Sequence, residues 1–175
     1  MTIKHSARAA FVALVALTAL NPSTSATDSA ECPTGAMLAV TGKIKRFNDK
    51  ATASYRFSEA ELLKLPTKRL KTGSEWTPVA EWAGPTIDEV LKVVGIDASA
   101  TKLRAVAHDG FAAMIPLTDL ATYGPLVAHS KDGRRITDPK HGPLFVAYPR
   151  DQHPELQTQA AGVKFVWALC KLEVQ

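Results

Sequence analysis

Short segments of alternating apolar and polar residues, separated by turn residues, recur along the chain from residue 37 onwards. Such alternation is typical of half-buried strands. The segments predicted as strands are residues 37–47, 51–57, 102–108, 111–115, 126–130, 144–148 and 163–174, with short strands joined by a loop within 67–82. The first two segments are expected to form a hairpin, and Asp109-Gly110 is a strong hairpin signal between the next two. Gly42 is expected to be a bulge or a point of close approach.

Helical patterns are fewer and shorter. Ser58 with Glu61 three residues later forms a capping box, which predicts a short helix that ends at Pro66. Thr86 opens a second helix, whose apolar positions keep helical spacing until Gly95. Residues 116–123 form a short helix or a turn. About eight short strands without a repeating βαβ order predict an α+β domain built on mostly antiparallel sheet.

The first 26 residues do not fit this pattern. Lys4 and Arg8 precede a 12-residue apolar run at residues 9–20, which is shorter than the roughly 20 residues of a membrane span. The pattern is typical of a cleaved secretory signal peptide. We therefore divide the chain into a signal peptide at 1–26, a flexible lead-in at 27–36 and one domain at 37–175.

The net charge is small and does not indicate a class of binding partner. The whole chain carries a formal charge of +4, and loss of Lys4 and Arg8 with the leader would lower it to +2. No basic face alternates with aromatic residues, which argues against a nucleic-acid groove.

The two cysteines, Cys32 and Cys170, lie near opposite ends of the exported part. Export permits disulfides, and a bridge here would attach the N-terminal segment to the last strand. Closing so long a loop would contribute about 4 kcal/mol in the chain-entropy model. The alternative is that Cys170 is a buried apolar residue and Cys32 lies on a frayed end.

Familiar catalytic and metal motifs are missing. The four histidines outside the leader, His108, His129, His141 and His153, show neither i, i+4 pairing nor a C-x-x-C context, so their spacing does not indicate zinc. The sequence has no G-x-S-x-G element, phosphate loop or dinucleotide fingerprint. We predict no metal ligands and no catalytic residues.

The segment from His141 to Asp151 contains the residues that are best suited to bind a ligand. An apolar strand at 144–148 ends in Tyr148, Pro149, Arg150 and Asp151, which brings an aromatic ring, a planar cation and a carboxylate to one rim of a sheet. Such a rim suits a flat polar ligand, although an ordinary buried strand followed by a surface turn explains the pattern equally well.

Trp167 is the most interesting aromatic residue. Alternation within the last predicted strand places it on the face opposite Val166. A tryptophan most often fills the core, and the functional alternative is a surface on which a planar heterocycle stacks.

Several motifs together resemble the molybdopterin-binding domain of the sulfite oxidase type, in particular its small exported versions. The resemblance covers residues 37–174 and is carried by V-T-G-K-I from Val40, L-L-K-L-P from Leu62, W-A-G-P-T-I-D-E-V-L from Trp82, H-D-G-F from His108, Ile115-Pro116 with Asp119, G-P-L from Gly142, Tyr148-Pro149 and Val166-Trp167. It implies an α+β fold of the sulfite oxidase kind with a pterin slot lined by loops at strand ends.

This sequence departs from the family at the metal. Catalytic members hold molybdenum through a cysteine in the loop that here runs from Leu70 to Trp76 and contains none. A hydroxyl does not replace a soft thiolate as a ligand. The family's Asn-Asp-Tyr is His108-Asp109-Gly110 here, and the chain is about half the size of members that carry a dimerising domain.

The resemblance therefore implies a non-catalytic relative that binds a free pterin and no molybdenum. Trp167 would stack on the ring, and Asp109 beside His108 would bind its amide edge. Arg134, Tyr148 and Arg150 would surround the tail or carbonyl, and Thr72 and Trp76 would line the metal end. Small exported relatives resemble periplasmic pterin-binding proteins that act with a membrane-bound signalling protein, such as a cyclic di-GMP enzyme. The alternatives are a molybdopterin-dependent oxidoreductase or its subunit, and an interaction module with a vestigial slot.

Overall fold

A computed structural model describes Met1 and residues 32–139 and 141–175. The predicted signal peptide therefore lies outside the described residues, apart from Met1. The described strands are β1 Leu38–Gly42, β2 Tyr55–Phe57, β3 Lys68–Thr72, β4 Ala80–Gly84, β5 Lys102–Ala107, β6 Ala112–Pro116, β7 Leu126–Ala128, β8 Ser130–Lys131, β9 Arg134–Arg135, β10 Phe145–Ala147 and β11 Leu169–Val174. The α-helices are α1 Glu59–Leu63, α2 Ile87–Val94, α3 Thr118–Tyr123 and α4 Gln159–Gly162, and 3-10 turns occupy Arg150–Gln152 and Pro154–Leu156.

Three sheets organise the described residues. The largest has the strand order β2-β1-β11-β5-β6, the second β3-β4-β8-β9, and the third pairs β10 with β7. All pairs are antiparallel except β1 with β11. The predicted α+β class is thus present, with strands more numerous and shorter than expected.

The local sequence signals explain several elements. Ser58 and Glu61 form the reciprocal capping box of α1. The Thr86 side chain caps α2, which buries Ile87, Val90, Leu91 and Val94 and ends at Gly95 with a φ of 61°. The hairpin of β5 and β6 turns through Gly110, whose φ is 85°.

Gly42 is a point of close approach between β1 and the end of β11. Its φ is 83°, and a Cβ atom built on it would lie 2.1 Å from the carbonyl oxygen of Val174. Only glycine combines this backbone conformation with such a contact.

The last predicted strand is wrong in its first half. Residues 163–168 form turns after α4, and the strand begins only at Leu169. Ala168 has a φ of 46°, which breaks the extended conformation just before β11. Trp167 therefore lies on a turn, and strand alternation does not set its direction.

The core contains residues from strands of all three sheets and from α2, and its large, fully buried side chains include Trp82, Tyr148, Phe57 and Phe145. Among the described residues, none of the helices has the length and apolar character needed to cross a membrane.

Candidate functional site

A cavity of about 480 Å³ opens between the loop after β3, the segment after β9 and the turn that carries Trp167. We call it the indole cavity, because three tryptophans contribute to its wall. Its lining residues are Trp76, Thr77, Pro78, Trp82, Lys131, Arg135, Ile136, Thr137, Asp138, His141 and Trp167.

Trp167 is fixed by other rings. Its indole stacks on Phe145 with ring centroids 4.1 Å apart and an interplanar angle of 24°. The buried Trp82 meets it edge-on at 5.7 Å. Phe145 thus occupies one face of a half-buried indole whose remaining surface contributes to the indole cavity.

Trp76 is 57% exposed, yet its loop is well fixed. The backbone N–H and hydroxyl of Ser74 both bond to the Thr77 hydroxyl, at 3.1 and 2.8 Å. The Gly73 N–H donates to the Asp151 carboxylate at 2.7 Å. The ring packs on Gly162, where an added Cβ would lie 3.4 Å from the indole. Asp151, the carboxylate of the strand-end motif, therefore holds the Trp76 loop.

The cations of the indole cavity are Lys131 and Arg135. The Lys131 Nζ lies 5.2 Å from the centroid of the Trp82 ring and has no acidic partner among the described residues. Arg135 forms an ion pair with Glu59 at 2.7 Å and donates to the His129 carbonyl at 2.9 Å. Arg135 is thus already paired, whereas Lys131 can bind an anionic or carbonyl group of a ligand.

His141 lies beside Trp167, with ring centroids 4.6 Å apart in an edge-on arrangement. Its Nδ1 contacts the Asp138 carboxylate. This contact fixes the orientation of the imidazole and leaves Nε2 as its other polar atom. The indole cavity therefore has an aromatic wall with a cation and an oriented imidazole beside it.

A smaller cavity of about 330 Å³ shares Trp76 and Trp167 with the indole cavity. Asp109 and Phe111 also line it, and the Asp109 carboxylate accepts the Phe111 N–H at 2.9 Å. Of the predicted ligand-binding residues, the fold thus brings Trp76, Asp109 and Trp167 together.

Tyr148 and Thr72 are placed differently from the prediction, since both are fully buried. The Tyr148 hydroxyl donates to Asp119 at 3.0 Å, and Lys164 contacts the same carboxylate oxygen at 2.7 Å. Burial, and next the charge of Asp119, raise the pKa of Tyr148. The Thr72 carbonyl accepts the N–H of the Trp82 indole at 3.0 Å. Tyr148 and Thr72 therefore support the core behind the indole cavity.

The two predicted arginines and His108 also lie outside the lining of the indole cavity. Arg134 is exposed next to the tight turn at Asp132 and Gly133. Arg150 begins a 3-10 turn, and its Nε is buried without a hydrogen-bond partner in the described chain. His108 instead borders a cavity of about 840 Å³ that includes Gly35, Ala36 and Met37.

Three lining residues were not predicted from the sequence, namely Lys131, Arg135 and His141. Lys131 pairs with Arg134 across the β8–β9 turn, so the predicted arginine lies next to the cation that lines the cavity. His141 opens the strand-end motif, but its proximity to Trp167 comes from a turn that periodicity does not reveal.

Molybdenum of the sulfite oxidase type does not fit the donor atoms of this chain. The loop from Leu70 to Trp76 has no cysteine, and the chain has only two. Cys32 and Cys170 form a disulfide with their Cα atoms 5.5 Å apart. Neither sulfur lines the indole cavity.

No protein-family model and no curated protein matches the chain. The crystal structure of the sulfane dehydrogenase SoxCD from Paracoccus pantotrophus is similar to it, with a TM-score of 0.58 and 13% sequence identity. The match covers 79% of this chain and 38% of the SoxCD chain, so this chain spans well under half of that protein. The likeness shows a distant relationship at the level of fold, that of a mixed α+β domain with several antiparallel sheets and few helices.

Proposed function

We propose that this protein is an exported, non-catalytic pterin-binding protein and that the pterin ring lies in the indole cavity against Trp167. The observation that carries the proposal is the position of Trp167, stacked on Phe145 on one side and lining two cavities with Trp76. A flat heterocycle gains most from such a wall, because its whole face can contact an aromatic ring.

Size and charge support a small, flat, polar ligand. A volume of about 480 Å³ is at the lower end of the 300–1,000 Å³ range typical of small-molecule sites. Lys131 supplies a cation for a carbonyl or an anionic tail, and His141 supplies a ring nitrogen beside the stacking surface. Asp109, on the far side of the two indoles, would bind the amide edge of a ring that reaches the smaller cavity.

The non-catalytic part of the proposal rests on ligand chemistry. A soft thiolate is the donor that catalytic relatives are expected to use, and the loop from Leu70 to Trp76 offers hydroxyl, amine and carboxylate groups instead. The protein would then signal whether a ligand is bound, and it would not convert that ligand. We propose that it reports to the periplasmic domain of a membrane-bound signalling protein, such as a cyclic di-GMP enzyme, as the sequence resemblance implies.

Pterin fluorescence titration tests the site. We expect reduced and oxidised pterins to bind the mature protein and Trp167→Ala to weaken binding by about 5- to 150-fold, since stacking of one base on an aromatic ring is worth about 1–3 kcal/mol. Phe47→Ala is the control, because Phe47 is 47% exposed and lies outside the indole cavity. Equal pterin affinity in Trp167→Ala and the unmodified protein would contradict the stacking role.

The alternative function is a molybdopterin-dependent oxidoreductase or a subunit of one, which the fold likeness to a sulfane dehydrogenase favours. Metal analysis of protein purified from the periplasm discriminates between the two. Molybdenum near one equivalent per chain would replace the binding proposal with the enzymatic one.

A further inference from the structure

A second group of reactive side chains lies outside the lining of the indole cavity. One ring nitrogen of His108 and the sulfurs of Cys32 and Cys170 all lie within 4.8 Å of one another. None of the three residues lines the indole cavity. Two soft sulfurs and an imidazole are a donor set that transition metals use in proteins.

Separate elements bring these atoms together. Cys170 lies in β11 where the register with β5 shifts, and it is 2% exposed. His108 directly follows β5, and its backbone N–H donates to the Ala168 carbonyl at 3.0 Å. Cys32 belongs to the segment 32–36 shortly before β1, which we call the N-terminal strap. Two of the three donors are thus positioned by the central sheet.

His108 is available as a ligand. It is exposed, and its ring has no hydrogen-bond partner within the described part of the chain. Its neighbour Asp109 bonds to the turn backbone at Phe111 and does not engage the ring. The imidazole can therefore turn a nitrogen towards the sulfurs without breaking a hydrogen bond.

We propose that reduction of the Cys32–Cys170 disulfide converts this cluster into a binding site for one thiophilic metal ion, with Zn²⁺ or Cu⁺ as the fitting class. A dithiol reductant would supply two electrons and two protons to the S–S bond and would itself become a disulfide. Each cysteine then releases its proton as its sulfur binds the metal. His108 completes a set of two sulfurs and one nitrogen, and a fourth position stays open to water.

The spacing suits a single ion. Zn–S bonds of about 2.3 Å and Zn–N bonds of about 2.0 Å in a tetrahedral site place the donor atoms about 3.5–3.8 Å apart. The sulfurs must separate to that distance, and the histidine nitrogen must approach from at most 4.8 Å. Cys32 can supply this movement, because few contacts hold the strap. Apart from the disulfide, the hydrogen bond found for it among the described residues is the one that Arg56 donates to the Thr34 carbonyl.

A bound metal would take over the mechanical role of the disulfide. The strap residues Gly35 and Ala36 form part of the wall of the 840 Å³ cavity that His108 also borders. The oxidised chain and the reduced, metal-loaded chain would both keep this wall in place, whereas the reduced, metal-free chain would release it. The cluster would thus couple redox state and metal supply to the shape of that cavity.

Zinc titration of the full exported chain tests the proposal. A phosphine reductant opens the disulfide without adding a competing thiol: it becomes a phosphine oxide with oxygen from water, and the two protons of that water go to the sulfurs. We expect the reduced chain to bind one equivalent of Zn²⁺ and the oxidised chain to bind none at the same concentrations. Co²⁺ as a second probe should give the absorption bands of a tetrahedral, sulfur-ligated ion.

His108→Ala and His153→Ala form a matched pair of variants. Loss of an outer hydrogen-bond partner of a metal ligand already costs about 10- to 100-fold in affinity, so loss of the His108 ligand should cost at least about 100-fold. His153 lies beside Glu155 in a different part of the fold, and its removal should leave zinc affinity unchanged.

Three results would overturn the proposal. The first is a reduced, folded chain that binds no zinc. The second is equal zinc affinity in His108→Ala and His153→Ala, which would show that the histidine is not a ligand. The third is loss of near-ultraviolet circular dichroism on reduction that zinc does not restore, since the site requires the folded sheet.

Discussion

The indole cavity and the five-stranded sheet are built by different kinds of contact. Separate loops assemble the indole cavity through ring packing and hydrogen bonds, such as the one from Gly73 to Asp151. The sheet is continuous, with a disulfide at one end of β11 and the close approach of Gly42 at the other. Changes in the sheet should therefore alter the free energy of unfolding, whereas changes in the indole cavity should alter ligand affinity with little effect on folding.

Loss of the disulfide should have the largest effect. Cys32 and Cys170 are separated by 138 positions in the sequence. The double replacement of both cysteines by serine should lower the free energy of unfolding by about 2–5 kcal/mol, because the unfolded chain gains conformational entropy. Urea unfolding in a metal-free buffer measures this. Pterin affinity at a temperature where the variant is still folded should be unchanged, and a parallel loss of affinity would argue against two independent regions.

Gly42 and Gly110 provide a matched test of close packing in the same sheet. Both have a φ near +84°, at 83° and 85°, but a Cβ atom would lie 2.1 Å from the Val174 carbonyl oxygen at Gly42 and has nothing within 4 Å at Gly110. Alanine at Gly110 should cost about 1–2 kcal/mol for the backbone conformation alone. Alanine at Gly42 should cost about 3 kcal/mol, because β1 and β11 must also separate. Similar losses of stability in the two variants, measured by thermal unfolding, would show that β1 and β11 can separate at Gly42 at little cost in free energy.

The two glycines also show which parts of the molecule the sequence predicts. A turn dipeptide, a capping box or a glycine in a strand acts through neighbouring residues, so the hairpin at Asp109-Gly110, helix α1 and the close approach at Gly42 were all predictable. The residues that line the indole cavity come from chain segments far apart in sequence. Lys131 and His141 join Trp167 only through the packing of β8 and of the turn before β11, and no local period encodes that packing.

The proximity of His108 to the two cysteines was also not predictable from local sequence patterns. The spacing of the histidines gave no metal motif, because the ligand atoms converge through the pairing of β5 with β11 and through a strap from the other end of the chain. Tyr148 shows the opposite error. The end of an apolar strand was expected to face a ligand, but the hydroxyl turns inward to a carboxylate on α3.

Tyr148→Phe should therefore affect stability and leave ligand binding unchanged. The variant loses the hydrogen bond to Asp119 and keeps the ring contact with Phe165 at 5.7 Å. We expect a loss of about 1.5–3 kcal/mol in the free energy of unfolding, because the acceptor is a charged carboxylate. Pterin titration is the second measurement. A clear loss of pterin affinity would show that Tyr148 contributes to binding as well as to stability, contrary to this prediction.

His129 should make the stability of the fold sensitive to acid. It is buried, neither ring nitrogen has a partner in the described chain, and its carbonyl holds Arg135. Burial, and next the positive charge of Arg135, lower the pKa of His129. The unfolded chain therefore binds a proton below about pH 6.5 that the folded chain resists, and stability is lost as the pH falls through that value. The slope should stay below about 1.4 kcal/mol per pH unit, the limit for one proton.

His129→Leu checks this assignment, because the apolar side chain removes the titration. The difference in free energy of unfolding between the variant and the unmodified protein should shift in favour of the variant from pH 7 to pH 5. Urea unfolding at three pH values is sufficient. A difference that does not change with pH would mean that the folded protein accepts the proton on His129 as readily as the unfolded chain does.

Asp151→Asn should have the smallest effect on stability and should act mainly on the Trp76 loop. The amide keeps an oxygen that can accept from the Gly73 N–H, but it loses the charge that strengthens the bond. The loop should hold Trp76 less firmly, so we expect pterin affinity to fall by about 2- to 10-fold while the free energy of unfolding changes by less than about 1 kcal/mol. Asp88→Asn is the control, since Asp88 is a surface residue on α2 that pairs with Lys92. If Asp151→Asn lowered stability and left affinity unchanged, the Trp76 loop would belong with the framework, and Trp167 alone would define the binding surface.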